Sequence, residues 1–450
     1  MKVVAQSRRY LGHPKPSLPI LRRIHDAVLI PKITYGIGVI GKGFSEETFK
    51  QLTAVHRKLL ITLSGGYKTT PYLSLCKILD IIPIRLQIEQ QMYKWNYLYS
   101  SQTTDVLNLS IDRAVEEKFD KSFAPESEEV KKLARGKIKT QEELNAFLAS
   151  NRYSYLCFTD GSKDETGCGY ASIVYDSSLR KITERTEPLF KYASVFQCEA
   201  LAIINALETL EKKIRFNSMS LVLTDSEIIY KALMRTTKQH LLIQCIREKL
   251  VRLQNENKTV HVVQVSSHSN VTGNEDVDQL AKRARRSKKK VKFDVIPRSH
   301  IKKQIEQHIA CKAMKQFEQN KSRSLMINIP MGWNTSPYKC NISKELLWLL
   351  SGHGPFNQYL HRMRLKQSPT CPCGEGDMSN HHIVSTCSKS SQERDNLIVE
   401  ATSQESELTN TVTRVLETTI ASGTLASIEL INHFAKEIIK LSSNLCNNIN

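Results

Sequence analysis

The sequence predicts an α/β fold with five strands in residues 151–287, between mainly α-helical N- and C-terminal regions. Three observations support this. Short apolar runs in residues 151–287 have the length and alternation of strands. Segments between these runs carry apolar residues at helical spacing, which predicts amphipathic helices. Elsewhere the apolar residues follow the helical period over longer stretches, at residues 21–29, 46–62 and 84–99.

The predicted elements follow a definite order along residues 151–287. Three strands come first, and then an amphipathic helix, a fourth strand, two helical segments, a fifth strand and a last helix. In that order, they lie at residues 153–159, 169–175, 182–189, 195–212, 220–224, near 228, 241–254, 260–265 and from 274. Because strands and helices share one stretch of chain, we expect the helices to cover a single sheet.

An acidic residue follows the first predicted strand. By the strand period of two, Asp160 falls on the side that carries Leu156 and Phe158. A charge on that side costs free energy unless something compensates it. The alternative is that residues 160–162 form only a turn, since Asp and Gly are ordinary turn residues. The residues around Asp160 leave both interpretations open.

A second carboxylate lies on the apolar face of the predicted helix at residues 195–212. Glu199 precedes Ala202 by three residues and Ile203 by four, which places it on their face. The alternative is a carboxylate at the edge of the apolar stripe that reaches solvent from the first turn, where the helix dipole favours it. The position favours a functional role for Glu199.

Two further acids complete the candidate set. Asp225 ends the strand run at residues 220–224, and ligand sites in open α/β sheets lie at the carboxyl ends of strands. A loop carboxylate without a role is the alternative. In the last helix, Asn274 is the predicted N-cap and Asp276 fits the dipole of the first turn. Asp278 instead flanks apolar positions, so we prefer it to Asp276 as the fourth carboxylate.

Fragments around these acids, in this order and spacing, resemble the type-1 ribonuclease H domain. The resemblance implies a mixed five-stranded sheet and hydrolysis of the RNA strand of an RNA/DNA hybrid by two Mg²⁺ ions. It implies that the four carboxylates hold the metals and that His268 helps proton transfer or product departure. Without metal, the crowded like charges should raise the pKa values of the acids. The fragments are Phe158-Thr-Asp160-Gly161-Ser162, Cys198-Glu199-Ala200-Leu-Ala202, Leu223-Thr-Asp225-Ser226, Ser267-His268 and residues 273–281.

The charge of the chain bears on its partners and its location. Its 450 residues have a formal net charge of +19, which indicates a polyanionic partner, with an acidic membrane surface as the weaker alternative. Residues 282–292 hold eight basic residues of eleven; they could be a solvated face, follow phosphates or act as a nuclear-import signal. With no membrane span or signal-peptide core in the sequence, we expect an intracellular protein. The oligomeric state stays open.

The sequence divides into five predicted parts. Residues 1–109 are helical and resemble the region after the reverse-transcriptase palm of non-long-terminal-repeat retrotransposons, through Ile30-Pro31, residues 59–66 and Ile82-Pro83-Ile84. No Tyr-x-Asp-Asp motif is present, so the chain is not a complete polymerase. A charged linker at 110–150 precedes the ribonuclease H domain at 151–287. Residues 288–400 form a basic and helical region, and residues 401–450 form C-terminal helices.

Four Cys and His residues suggest a second metal site. The chain has eleven scattered cysteines without a disulfide framework. Cys371 and Cys373, followed by His382 and Cys387, could supply the ligands of a structural Zn²⁺ ion. His381 competes for the third position, and reduced cysteines in a Gly-rich turn are the alternative. The order of these residues after a Gly-His-Gly segment also resembles the C-terminal region of the same retrotransposon polyproteins.

Three functions compete on this basis. The first is a ribonuclease acting on RNA/DNA hybrids within a retrotransposon-derived protein. The second is a nucleic-acid-binding protein without catalysis, in which the basic run and the Cys/His segment provide affinity. The third is another nuclease or an integrase on a similar fold, which would cleave DNA instead of RNA.

Overall fold

The computed structural model describes residues 18–40, 44–99, 127–213, 217–235, 240–266, 271–291, 293, 295–319, 342–404, 412–422 and 425–447. The chain divides into two compact units. The first comprises Met1–Leu107 and Ile305–Asn450, and the second comprises Asn108–Gln304. Among the described residues, no helix is both long enough and apolar enough to cross a membrane.

The N-terminal part of the first unit is helical, as the sequence predicts. Ser45 caps its longest described helix, because the Ser45 hydroxyl accepts a hydrogen bond from the Thr48 backbone N–H at 3.2 Å. Gly65 ends that helix in the left-handed conformation. The helices are α1 (Leu18–Ile24), a π-helical turn (His25–Leu29), α2 (Ile30–Ile33), α3 (Ile37–Ile40), α4 (Glu46–Ser64), α5 (Tyr72–Ile78) and α6 (Ile84–Tyr99).

The second unit is built on a mixed six-stranded sheet with the order β1-β6-β5-β2-β3-β4. Strand β2 pairs antiparallel with β3, which pairs antiparallel with β4. On its other side β2 is parallel to β5, β5 is parallel to β6, and β6 is parallel to β1. The strands are β1 (Ala134–Ile138), β2 (Tyr155–Lys163), β3 (Cys168–Asp176), β4 (Lys181–Leu189), β5 (Ser218–Thr224) and β6 (Lys258–Val265).

Helices cover both faces of this sheet. Cys157 and Val222 pack in one buried cluster with the apolar faces of α9 and α11, whereas Leu156 and Phe158 pack in another with α8 and α12. The alternation along β2 therefore separates two cores. The helices of this unit are α7 (Ser127–Leu133), α8 (Gln141–Ala149), α9 (Val195–Lys213), α10 (Glu227–Met234), α11 (Leu241–Asn255) and α12 (Thr272–Ala284).

The sheet has one strand more than the sequence predicts. Strand β1 falls within the predicted charged linker, whose described residues form α7, β1 and α8. Its sequence Ala-Arg-Gly-Lys-Ile lacks an apolar run, and its three middle residues are exposed. A strand at the edge of a sheet tolerates such charged residues. Pairing with the buried strand β6, rather than local hydrophobicity, accounts for β1.

Two predicted boundaries also differ from the structure. Strand β2 continues past Thr159 to Lys163, so Asp160 lies within a strand and not in a turn. Helix α12 begins at Thr272 with Val271 at its N-cap, and the prediction of Asn274 as the cap is wrong. The physical reason is that the carbonyl of buried Val271 accepts hydrogen bonds from the backbone N–H groups of Asn274 and Glu275 at 2.9 and 3.2 Å.

The described residues in the C-terminal part of the first unit are mainly helical, and their longest irregular segment is a loop at residues 363–379. Its helix α14 starts with a Ser343 cap and ends at Gly352 in the left-handed conformation. The helices are α13 (Arg298–Gln319, which begins in the second unit), α14 (Lys344–Ser351), α15 (Asn357–Arg362), α16 (Asn380–Ser385), a 3₁₀ turn (Ser388–Ser390), α17 (Ser391–Gln404), α18 (Val412–Ser422) and α19 (Leu425–Asn447).

Candidate functional site

Three of the predicted carboxylates converge at one end of the sheet. One carboxylate oxygen each from Asp160, Glu199 and Asp225 lies within 4.8 Å of the others. Asp160 and Asp225 meet because β2 and β5 are parallel neighbours in register, with Thr159 paired to Thr224. The residue after each partner therefore lies at the same level of the sheet.

Glu199 reaches the other two acids because α9 packs unusually close to β2. A Cβ atom added at Gly161 would lie 2.5 Å from the backbone nitrogen of Glu199 and 2.6 Å from the carbonyl carbon of Cys198. Only glycine allows this approach. No local pattern around Gly161 predicts this role, because it depends on packing between two elements distant in sequence.

Burial and mutual repulsion act on these acids in the same direction. Asp160 and Glu199 are each only 7% exposed. The pKa of Asp160 is raised by burial first, and then by the charges of Asp225 and Asp278. Burial likewise raises the pKa of Glu199, with further contributions from Asp160 and Asp225. The predicted rise in acid pKa values without metal is therefore present at both residues.

The oxygen atoms of this carboxylate cluster fit a divalent cation. Glu199 Oε2 is buried and has no hydrogen-bond partner among the described residues. An unpaired buried carboxylate oxygen is costly. A hard cation such as Mg²⁺, which prefers carboxylate oxygens, would satisfy this atom and remove the repulsion among the three acids.

Asp278 lies outside the group of three. Its side chain on α12 is 40% exposed, and its Oδ2 atom accepts a hydrogen bond from Lys282 Nζ at 2.5 Å. It is still close enough to raise the pKa of Asp160. The competing candidate Asp276 accepts a hydrogen bond from the Tyr175 hydroxyl at 3.0 Å, which gives it a structural partner of its own. His268 lies outside the described residues.

One basic residue of the run at 282–292 supports the candidate site without being part of it. Arg285 is ion-paired to Asp164 at 2.8 Å and donates a hydrogen bond to the Ser162 hydroxyl at 3.0 Å. These contacts attach the end of α12 to the β2–β3 hairpin, two residues beyond Asp160. In the sequence Arg285 is only one member of a basic run, because its acidic partner Asp164 lies more than a hundred residues away.

The four predicted Cys and His ligands form a second group in the first unit. One ligand atom each from Cys371, Cys373, His382 and Cys387 lies within 4.8 Å of the others. The Sγ atoms of Cys371 and Cys387 are 3.7 Å apart, and Cys373 Sγ is 3.2 Å from His382 Nε2. His381 is exposed and does not belong to the group.

The backbone and side chains around this Cys/His cluster fit a tetrahedral metal. Gly374 and Gly376 have φ values of 85° and 149°, which let the chain turn tightly between the ligand pairs. His382 Nδ1 is hydrogen-bonded to the Thr386 hydroxyl at 3.0 Å, which orients Nε2 toward the cysteines. Three thiolates and one imidazole are one of the usual ligand sets of structural Zn²⁺.

Residues 152–286 match the family model for RNase H, and no curated protein matches the chain. Solved structures with local similarity include the N-terminal RNase H domain of rv2228c from Mycobacterium tuberculosis fused to maltose-binding protein, at 18% identity and a TM-score of 0.25, covering 29% of this chain and 98% of that chain. RNase H1 from Halobacterium salinarum NRC-1 is 19% identical with a TM-score of 0.23, covering 29% and 96%. A foamy viral protease-reverse transcriptase in complex with dsDNA is 18% identical with a TM-score of 0.26, covering 30% and 95%. The second unit thus contains an RNase H domain at residues 152–286.

Proposed function

We propose that this protein hydrolyses the RNA strand of RNA/DNA hybrids with the help of two Mg²⁺ ions. The observation that carries the proposal is the convergence of Asp160, Glu199 and Asp225 within a segment that matches RNase H. Two divalent cations in such a site activate water and stabilise the leaving oxygen of an in-line displacement. The net charge of +19 also favours a polyanionic substrate.

Each residue of the candidate site would have a distinct role in the reaction. The three clustered carboxylates bind and orient the cations, and the rigid sheet and α9 hold them in place before substrate arrives. Asp278 would add a ligand at the exposed rim, where Lys282 now holds it. His268 would move a proton or assist product departure. The close packing at Gly161 and the burial of Asp160 and Glu199 limit water at the inner side of the site.

Cleavage of a labelled RNA/DNA hybrid tests this proposal. We expect Mg²⁺-dependent cleavage by the unmodified chain and none by Asp225→Asn, because that change removes a charged ligand but preserves shape. Asp276→Asn is the matched control: it removes an equal charge near the site, where the acid bonds to Tyr175, and should leave most of the cleavage intact. If the unmodified chain does not cleave the hybrid with Mg²⁺ present, the proposed ribonuclease activity is contradicted.

Binding without catalysis is the second candidate function, and the charge of the chain favours it. Six basic residues, at 283, 285, 286 and 288–290, lie at the end of α12 or directly after it. They would give salt-sensitive affinity for hybrid or duplex whether or not the carboxylates act. Cleavage of either strand at any Mg²⁺ concentration would eliminate this candidate.

We also propose that Cys371, Cys373, His382 and Cys387 bind one structural Zn²⁺ ion. The grouping of the four ligand atoms supports this. Burial raises the pKa of the Cys371 and Cys387 thiols, so binding would release protons. Metal analysis of the purified chain should give about one zinc per chain, and Cys373→Ser should lose it. Cys311→Ser, at an exposed cysteine elsewhere in the same unit, should keep it.

We propose that the chain belongs to the C-terminal part of a retrotransposon polyprotein, acts inside the cell and carries a nuclear-import signal at residues 282–292. The resemblances at both flanks of the RNase H domain and the basic run motivate this. A genomic copy with a Tyr-x-Asp-Asp polymerase motif upstream in the same reading frame is the expected observation. Nuclear accumulation of a tagged chain that is lost when Lys288, Lys289 and Lys290 become alanine tests the import signal.

A further inference from the structure

A cavity of about 670 Å³ with a mixed polar and apolar lining lies in the first unit, between α15 and the loop at residues 363–379. Its volume is within the range of about 300–1,000 Å³ typical of small-molecule sites. None of the functions proposed above uses it. Its lining separates into a buried floor and an exposed rim with different chemistry.

The floor of the cavity is rigid. The Thr69 hydroxyl is 2.9 Å from Nδ1 of buried His353 and 2.6 Å from the hydroxyl of buried Tyr359, so one residue orients both rings. Tyr67 packs edge-on against Tyr359, with 5.5 Å between ring centroids. Phe356 is fully buried beside them. A ligand in the cavity would therefore meet a preformed floor, of which only the edges of Tyr359 and His353 are exposed.

The floor carries no positive charge near neutral pH. Burial lowers the pKa of His353 to about 4, and the nearby charges of Arg362 and Arg57 act in the same direction. The His353 ring is therefore neutral and can hydrogen-bond to a ligand without adding charge. Recognition of an anion must come from the rim instead.

The rim presents the Arg362 guanidinium and the His361 imidazole on one side and amide and carboxylate groups on the other. Arg362 and His361 are exposed, and no carboxylate pairs with Arg362 among the residues that the structure describes. The Arg362 guanidinium lies 5.6 Å from the Tyr359 ring centroid. Across the opening, Gln358 donates a long hydrogen bond of 3.5 Å to Asp377. Arg362 is thus an unpaired planar donor suited to phosphate.

We propose that this cavity binds an unpaired nucleotide of a single-stranded nucleic acid, with the phosphate at Arg362 and His361 and the base inside. The combination of rim and floor groups favours this class of ligand. The Arg362 guanidinium suits a phosphate, whereas Asp377 would repel a purely anionic ligand such as an acidic peptide. Asp377 and Gln358 match the exocyclic amino group and ring nitrogens of a base such as cytosine. Aromatic floors are common where unpaired bases bind.

Fluorescence anisotropy with the full chain and short labelled oligo-C, oligo-U and oligo-dC tests the site. The measurement is made near physiological salt, without added Mg²⁺. Arg362→Glu should weaken binding of oligo-C about tenfold or more. Lys436→Glu, an equal charge reversal at an exposed lysine of the same unit that does not line the cavity, should change it much less. Comparing oligo-C with oligo-dC shows whether RNA or DNA is preferred.

Three further measurements separate loss of the site from misfolding and from nonspecific charge effects. Arg362→Gln, which keeps a similar side-chain volume, should also weaken binding while the thermal midpoint stays unchanged. Asp377→Asn should abolish a preference for oligo-C over oligo-U. A mononucleotide, CMP, should compete with oligo-C, because it can fill the cavity but cannot span the basic run at 282–292.

Equal losses of oligo-C affinity in Arg362→Glu and Lys436→Glu would overturn the proposal, since binding would then depend only on net charge. Tighter binding of an acidic peptide than of oligo-C, measured in the same assay, would overturn it as well. Hybrid cleavage is measured separately with the same variants. If Arg362→Glu still cleaves the hybrid, the carboxylate site is intact. Failure of the cavity proposal is then distinguishable from failure of the proposed hybrid cleavage.

Discussion

The carboxylate cluster and the Cys/His cluster are assembled in opposite ways. Asp160, Glu199 and Asp225 come from two strands and a helix, and the register of a buried sheet and one glycine bring them together. The Cys/His cluster comes from one short stretch of chain, residues 371–387, which comprises a loop with two glycines at positive φ and helix α16. We infer that the first cluster exists before any cation binds, whereas the second depends on its metal for stability.

Removing one ligand from the carboxylate cluster should have the largest effect on activity. Asp160→Asn replaces a buried cation ligand without changing the fold, because Asn has nearly the same shape. The loss of several kcal/mol of transition-state stabilisation should lower single-turnover cleavage of a hybrid by about 1,000-fold or more. A variant with more than a tenth of the original rate would show that Asp160 does not hold a catalytic cation.

The second-largest effect should come from the contact that positions Glu199. Gly161→Ala would place a methyl group 2.5 Å from the Glu199 backbone nitrogen, so α9 must shift. A displacement of about 1 Å at a catalytic group can cost on the order of 100-fold in rate. Glu165→Ala, at an exposed position of the same hairpin, is the control and should retain the rate. Equal rates for Gly161→Ala and the control would contradict the role of this close packing.

Loss of the Cys/His metal should change stability in the first unit and leave the carboxylate cluster in place. Cys387→Ser should lower the thermal midpoint of the first unit by about 5 °C or more, because ligand binding to the folded state stabilises it. Cys311→Ser should lower the midpoint much less. Hybrid cleavage at a temperature below both transitions should continue in Cys387→Ser. A midpoint equal to that of the unmodified chain would show that no metal stabilises this loop.

The smallest effect concerns the pH dependence of stability without divalent cations. The folded pKa values of Asp160 and Glu199 are raised above the ordinary values of 3.8 and 4.5. The folded state therefore binds more protons than the unfolded state between the ordinary and the raised values. Stability should be greatest below the ordinary values and fall as pH rises through the raised ones.

Denaturant unfolding of the RNase H unit between pH 4 and pH 8 measures this dependence. Asp160→Asn should flatten it, and Mg²⁺ should increase stability more at the higher pH, where the acids are ionised. Asp276→Asn should leave the slope nearly unchanged, because Asp276 is not one of the clustered acids. If the free energy of unfolding depends on pH equally in Asp160→Asn and the unmodified chain, the raised pKa of Asp160 is not a cause of the dependence.

The sequence predicts best those features that arise from local patterns. Five of the six strands and the helix that carries Glu199 follow from their hydrophobic periods. The position of Asp160 beyond an apolar strand and that of Asp225 after another indicate the shared edge of the sheet. Helical facing predicts Asp278 rather than Asp276 as the fourth carboxylate; the structure gives Asp276 a hydrogen bond from Tyr175 and leaves Asp278 40% exposed, so the role of Asp278 stays a prediction.

Other features depend on tertiary contacts that no local pattern contains. Strand β1 has a charged sequence and forms through pairing with β6. The role of Gly161 depends on the path of α9, and that of Arg285 depends on an acid in a distant hairpin. The sequence leaves both His381 and His382 as candidates for the third ligand. The geometry of α16 decides between them, because it buries His382 and exposes His381.

A strand-resolved cleavage assay tests the central claim most directly. An RNA/DNA hybrid carries one fluorophore on the RNA strand and a different one on the DNA strand, and the unmodified chain is added with and without Mg²⁺. Shortening of the RNA strand alone, only with Mg²⁺ and not with Asp225→Asn, is the expected result. Two intact strands with Mg²⁺ present, or a cut DNA strand, would contradict the claim that the three clustered acids form a hybrid-specific ribonuclease site.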